Sequence, residues 1–183
     1  MSQVQKGQPA PTQSPQRPPQ APPSQPKPEP VRAKELASRI TSSFPEARVD
    51  YMREKRLKVT VPPSRLKEVA VMARDQLGFD HVSVVSGVDW IAKNEFEIIY
   101  FVGSVSRPGL EDFVLALAER VPRDDPVAPS LIDVWTGVDY HERETQEMFG
   151  INFQGNPAKG HFLLPEDWND IPPLRKDYVS PGR

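Results

Sequence analysis

"RLKVTVPPSRLKEVAVMARDQLG", residues 56–78, decides the fold class. Its first six residues alternate, with Leu57, Val59 and Val61 on one side, the period of a half-buried strand. Pro62-Pro63 stops that strand. Beyond it the apolar spacing becomes helical: Leu66, Val69, Ala70, Ala73 and Leu77 share one face. Ser64 is the expected N-cap, and Gly78 sits where a C-terminal cap belongs. A strand running straight into an amphipathic helix calls for a sheet with helices packed against it.

The neighbouring segments extend this pattern. "RAKELASRITSSF" upstream places Ala33, Leu36, Ala37 and Ile40 on one helical face, and Pro45 ends it. "HVSVVSGVDW" and "EFEIIYFVG" downstream read as strands joined by a turn near Lys93-Asn94. "EDFVLALAERV" (111–121) fits either a short helix or a strand carrying Phe113, Leu115 and Leu117 on one face. The predicted fold is α+β, a mixed or antiparallel sheet with packed helices over residues 31–154, and no internal repeat. Residues 155–183 read as an extended C-terminal strap. Residues 1–30 hold 10 of the 22 prolines and 7 glutamines, a composition unable to bury enough surface to offset its ordering entropy. That tail is a linker, or an arm pinned by a neighbour; its Pro-x-x-Pro spacings also admit a recruiting scaffold.

Composition excludes several functions. With no cysteine, the chain has no disulfide, no thiolate nucleophile and no ligand set for an iron–sulfur cluster. A net charge of −2 lacks the basic excess of a nucleic-acid-binding surface. No apolar run reaches the roughly 18 residues that a membrane span requires, and no secretory signal is expected, which leaves the cytosol or a peripheral place on a membrane complex.

The chemistry-bearing residues concentrate in "LIDVWTGVDYHERETQEMFG" (131–150). Read as one helix, it puts Leu131, Trp135, Val138, Thr145 and Phe149 on one side, with Glu142 in the same stripe. Arg143 and Glu147 fall opposite, spaced to pair with each other in solvent. An unpaired carboxylate on an apolar stripe costs several kcal/mol, of order 3–5, so Glu142 needs an edge open to water or, as favoured here, a partner cation within the chain or across an interface. "HERET" begins like a zinc-protease motif, but residue 145 is threonine and the second ligand is missing. His81, His141 and His161 are too far apart to form a ligand pair. No phosphate-binding glycine loop and no Gly-x-Ser-x-Gly elbow occurs. A free-standing enzyme built on Glu142 and Glu144 stays open as an alternative.

"ERETQEMFGINF" (142–153) resembles the signature of the 30-kDa subunit family of respiratory complex I, which has counterparts in membrane-bound hydrogenase-like complexes. Glu142, Arg143, Glu144, Glu147, Met148, Phe149, Gly150, Ile151 and Phe153 match it. "VPRDDPVAPSLIDVW" (121–135), and "LLPEDW" (163–168) followed by "PLRKDY" (173–178), resemble two further family stretches in the same order. The resemblance is weaker back to about Ala33 and does not reach the tail. "GNPAKGHFLLPEDW" departs from the family, which carries His-Pro and basic residues where Asn156-Pro157, Lys159 and His161 stand here. Contacts belonging to those basic residues are therefore not transferred.

The resemblance implies a subunit without catalytic residues, metal or cofactor of its own. It would sit in the peripheral arm of an ion-pumping oxidoreductase, on the cytoplasmic side of the cell membrane. Its partners would be the large catalytic subunit and an adjacent iron–sulfur subunit. The signature residues then become interface candidates: Glu142 and Glu144 would meet cations, Phe149 and Ile151 would fill apolar pockets, and Gly150 would permit the turn out of the helix. Leu164, Pro165, Trp168, Arg175, Lys176 and Asp177 of the strap join them, with Arg175 and Lys176 seeking carboxylates on the partner.

Overall fold

The computed structural model describes residues 30–157 and 160–180. Nearly all of the proline-rich tail and Lys159 lie outside these residues, as does the choice between linker and docked arm.

Helix α1 (Val31–Ser43) buries Ala33, Leu36, Ala37 and Ile40, as their spacing predicts, and stops just before Phe44-Pro45. Strand β1 (Arg48–Arg53) turns through Glu54-Lys55 into β2 (Arg56–Thr60), a hairpin whose first strand the sequence pattern did not reveal. Leu57, Val59 and Val61 all point into the core. Helix α2 (Pro63–Met72) begins with a proline rather than with the expected Ser64 cap; Pro62 holds the N-cap position and no side chain caps the helix. Pro63 has its φ already set and no N–H to satisfy there. The helix widens to π geometry over Ala73–Leu77 and closes at Gly78 with φ +84°, the predicted cap.

Strands β3 (His81–Trp90) and β4 (Glu95–Gly103) form the expected hairpin, turning at Asn94 with φ 54°. The ambiguous segment resolves as strand β5 (Val114–Pro122), because it fills the middle of the sheet between β2 and β4. The order is β1-β2-β5-β4-β3, antiparallel except for the β2–β5 pair. Strands β6 (Val127–Pro129) and β7 (Asn152–Gln154) make a small parallel pair that short runs of three residues gave no reason to expect. Helix α3 spans only Val138–Phe149; residues 131–137 form turns rather than its first half. Leu131 and Trp135 are nevertheless buried, and the Trp135 indole N–H donates to the Phe79 carbonyl at 3.0 Å.

The helices share one continuous core on a single face of the sheet, which Phe96, Ile98 and Tyr100 of β4 and Leu115 and Leu117 of β5 supply. The α+β class and the mixed sheet are those predicted. Among the described residues the strap contains neither helix nor strand. It is a series of turns, closed by Trp168 N–H to Pro165 O, Arg175 N–H to Pro172 O and Tyr178 N–H to Arg175 O, and so is less extended than its sequence suggested.

Candidate assembly site: the signature helix and its strap

Glu142 is 0% exposed and lies on the inner side of α3. Its Oε1 accepts from the Tyr100 hydroxyl at 3.1 Å and the Leu131 N–H at 2.9 Å; its Oε2 accepts from Ser130 Oγ at 2.6 Å and Asn156 Nδ2 at 3.0 Å. These are neutral donors of the chain itself, where a cation was expected. They tie α3 to β4, to the loop after β6 and to the loop after β7. Such bonds to a carboxylate are worth about 1.5–3 kcal/mol each, enough together to offset burial. Burial, then the Glu142 charge, pushes the Tyr100 hydroxyl well above its ordinary pKa, so it remains a donor.

Phe149 and Ile151 also turn inward. Phe149 packs edge-on to Phe96 at 5.9 Å between ring centroids, and a Cβ on Gly87 would come within 2.6 Å of its ring. Ile151 and Phe153 are buried too, so these apolar signature residues complete this chain's own core. Gly150 adopts φ +75° at the end of α3, the turn expected of it.

The outer side of α3 holds the strap. Glu147 does not pair with Arg143; its carboxylate accepts the backbone N–H groups of Phe162, Leu163 and Leu164, the last two at 2.7 and 3.3 Å, with His161 Nδ1 at 3.4 Å. Burial alone would raise its pKa, but the Leu163 N–H and its neighbours outweigh this and hold it below the ordinary value. Arg143 instead lies over the Phe162 ring, 4.3 Å from its centroid. Further on, the Leu174 N–H donates to Met148 O at 3.0 Å, and Pro172 Cγ would stand 3.2 Å from a Cβ at Gly150. Buried Asp89 receives both the Arg123 guanidinium, at 3.0 and 3.2 Å, and the Lys176 N–H at 2.8 Å. Asp177 meets Arg123 at 2.5 Å, which lowers its pKa, while Arg175 lies over the Phe96 ring at 5.2 Å. Arg175 and Asp177 are thus used within the chain. Glu144, Pro165 and the Lys176 side chain remain outside, with Leu164 and Trp168 half-buried.

Nothing in the local sequence marks Asp89, Arg123, Ser130 or Asn156, whose partners lie far along the chain. Glu119 does carry a mark: it continues the Phe113, Leu115, Leu117 face of β5. It is 0% exposed and neither carboxyl oxygen has a hydrogen-bond partner. Burial, aided by the Glu142 charge, pushes its pKa up to about 8. Among the described residues no cluster of histidine, aspartate or glutamate has metal-binding geometry.

Residues 59–183, from β2 to the end of the chain, match the family described as "Respiratory-chain NADH dehydrogenase, 30 Kd subunit". The chain belongs to that family. This 30-kDa-family protein is 36% identical over 148 residues to the C-type component of the F(420)H(2) dehydrogenase of Methanosarcina mazei, covering 80% of this chain and 91% of that one. It is 40% identical over 124 residues to the corresponding component of the NADH-quinone oxidoreductase of Roseiflexus sp. (strain RS-1), covering 66% and 68%. In fold it is similar to a chain of the membrane-bound sulfane sulfur reductase, an archaeal respiratory membrane complex, with TM-score 0.70 at 24% identity over 81% of this chain and 86% of that one. A trypsin-resistant fragment of Nqo5 shares the fold with TM-score 0.59 at 23% identity, over 70% and 99%. The protein is one subunit of a complex I-like or F420H2-dehydrogenase-type multi-subunit oxidoreductase. No helix among the described residues is long and apolar enough to cross a membrane.

Proposed function

We propose that this protein is a non-catalytic structural component of the peripheral arm, and that the strap fastened to α3 is its docking surface for the large catalytic subunit, beside an iron–sulfur subunit. In this reading it stands on the cytoplasmic side of the membrane and supports electron transfer coupled to ion pumping by holding other subunits in register. One observation carries the proposal. The strap's backbone is bound inward by Glu147, Met148 and Asp89, while Leu163, Leu174 and Val179 stay 55%, 55% and 73% exposed. A backbone held in place beneath outward apolar side chains is a preorganised docking surface, since its ordering cost is met before the partner arrives. Glu142 and Glu147 of α3 act as internal fasteners, which makes a Glu142-based enzyme a poor reading: the Glu142 carboxyl is sealed and already saturated.

Leu163→Asp with Leu174→Asp tests this, because both side chains are exposed and the domain should fold with unchanged thermal stability. Tagged wild type should recover the large and iron–sulfur subunits from mild-detergent extracts, and the double variant should recover at least about tenfold less, the equivalent of some 1.4 kcal/mol. Equal recovery would reject the strap as the docking element.

A further inference from the structure

The helices cover one face of the sheet; the other face has a composition unlike that of a surface left to water. A solvated sheet face normally alternates to polar side chains. Here the outward positions of β3, β4 and β5 include Val88, Ile99, Phe101, Ala116 and Ala118, an apolar cluster separate from the main core in which Ile99, Ala116 and Ala118 are already buried and Val88 and Phe101 are half-buried. Val84, alongside Phe101 in register, is 40% exposed. Toward one side of the sheet the register continues from Ala116 and Val114 to Lys58 and Arg56 of β2, with Arg53 of β1 directly opposite Arg56.

That Arg53–Arg56 pair breaks the local pattern. Like charges directly across a ladder repel. The other cations of the hairpin are matched: Arg48 with Asp50 at 2.7 Å, Lys55 with Asp112 at 2.5 Å and Lys58 with Glu97 at 2.7 Å. Arg53 only stacks on the Tyr51 ring at 5.3 Å, and neither Arg53 nor Arg56 meets a carboxylate among the described residues. An apolar strip ending in two unmatched guanidinium groups has a specific complement.

We propose that this face, free of helices among the described residues, is a second docking surface, distinct from the strap, and that its occupant is a segment of another subunit with apolar side chains over Val84 and Phe101 and carboxylates at Arg53 and Arg56. Residues 1–29 of this chain suit it poorly, since they carry Lys6, Arg17 and Lys27 against the single Glu29. The charge pair supplies register and specificity, and the accessible parts of Val84, Val88 and Phe101 supply the apolar contact.

The test places a photo-crosslinking phenylalanine analogue at Val84 or, separately, at Leu174, in the intact complex in native membranes, and maps the linked peptides. Val84 should link to a peptide of another subunit that has apolar residues flanked by at least two carboxylates. Arg53→Glu with Arg56→Glu should cut that yield about tenfold and leave the Leu174 yield unchanged, with Arg53→Gln and Arg56→Gln giving the same order of effect if charge reversal disturbs the fold. Links from Val84 only to residues 1–29 or to a second copy, or no link while Leu174 still links, would overturn the second surface and leave the strap intact. Links from Val84 without any from Leu174 would uphold this face and overturn the strap instead.

Discussion

At the base of α3 and in the middle of β5, the same kind of side chain is buried in opposite ways. Glu142 is fully buried among four donors; Glu119 is equally buried and has none. For the first, the chain supplies the hydrogen bonds that water would have supplied. The second keeps its proton because nothing does. On the outer side of α3, Glu147 adopts a third arrangement, gathering backbone N–H groups from a segment that is otherwise irregular. A glutamate turned inward in this fold is thus a joint, a protonated filler or a fastener, according to the donors around it.

Glu142→Ala should have the largest effect. It removes the acceptor from Tyr100, Ser130, Leu131 and Asn156 at once, and should destabilise the domain by about 3–5 kcal/mol in denaturant unfolding. Glu142→Gln, which keeps one acceptor, should cost less. A loss under about 1 kcal/mol for the alanine would mean that the four bonds do not bear on stability.

Glu119→Gln should act in the opposite sense and only as pH rises. Unfolded, Glu119 titrates near 4.5; folded, near 8. The native state therefore binds its proton more tightly, so this contribution to stability is complete below pH 4.5 and is lost progressively up to about pH 8. Each unit in that window is worth about 1.4 kcal/mol at most. The glutamine variant should match wild type near pH 4.5 and exceed it by about 2–4 kcal/mol at pH 8–9 in paired denaturation curves. Parallel curves across the range would show that Glu119 is not held protonated.

How far these positions could be read beforehand depends on whether the determinant is local. The β2–α2 unit, helix α1 and the β3–β4 hairpin were legible because their apolar spacing is self-contained. Glu142 was legible as a residue in need of a partner, and the signature marked the family. Its actual partners were not, because Tyr100, Ser130 and Asn156 come from three separate strands and loops whose approach depends on the finished sheet. The Arg143–Glu147 pair was a sound reading of an isolated helix. The strap overrides it, with Phe162 beneath Arg143 and backbone N–H groups at Glu147. Segment 111–121 was undecidable alone and became a strand through its neighbours on both sides.

Smaller effects sharpen the fastener side. Glu147→Gln should speed amide exchange at Phe162, Leu163 and Leu164 about tenfold, while changing global stability by no more than about 1–2 kcal/mol. Gly150→Ala forces a side chain into φ +75° and toward Pro172, and should cost about 1–2 kcal/mol, read as a shift in the denaturation midpoint.

A strap prepared by its own domain and covered by another subunit should lose solvent access only on assembly. Hydroxyl-radical footprinting of Leu163, Leu174 and Val179, in the isolated protein and in the purified complex, tests it most directly. All three should label strongly when the protein is alone and be protected at least about tenfold in the complex, with Ile151 silent in both. Equal labelling of the strap in the two states would contradict it.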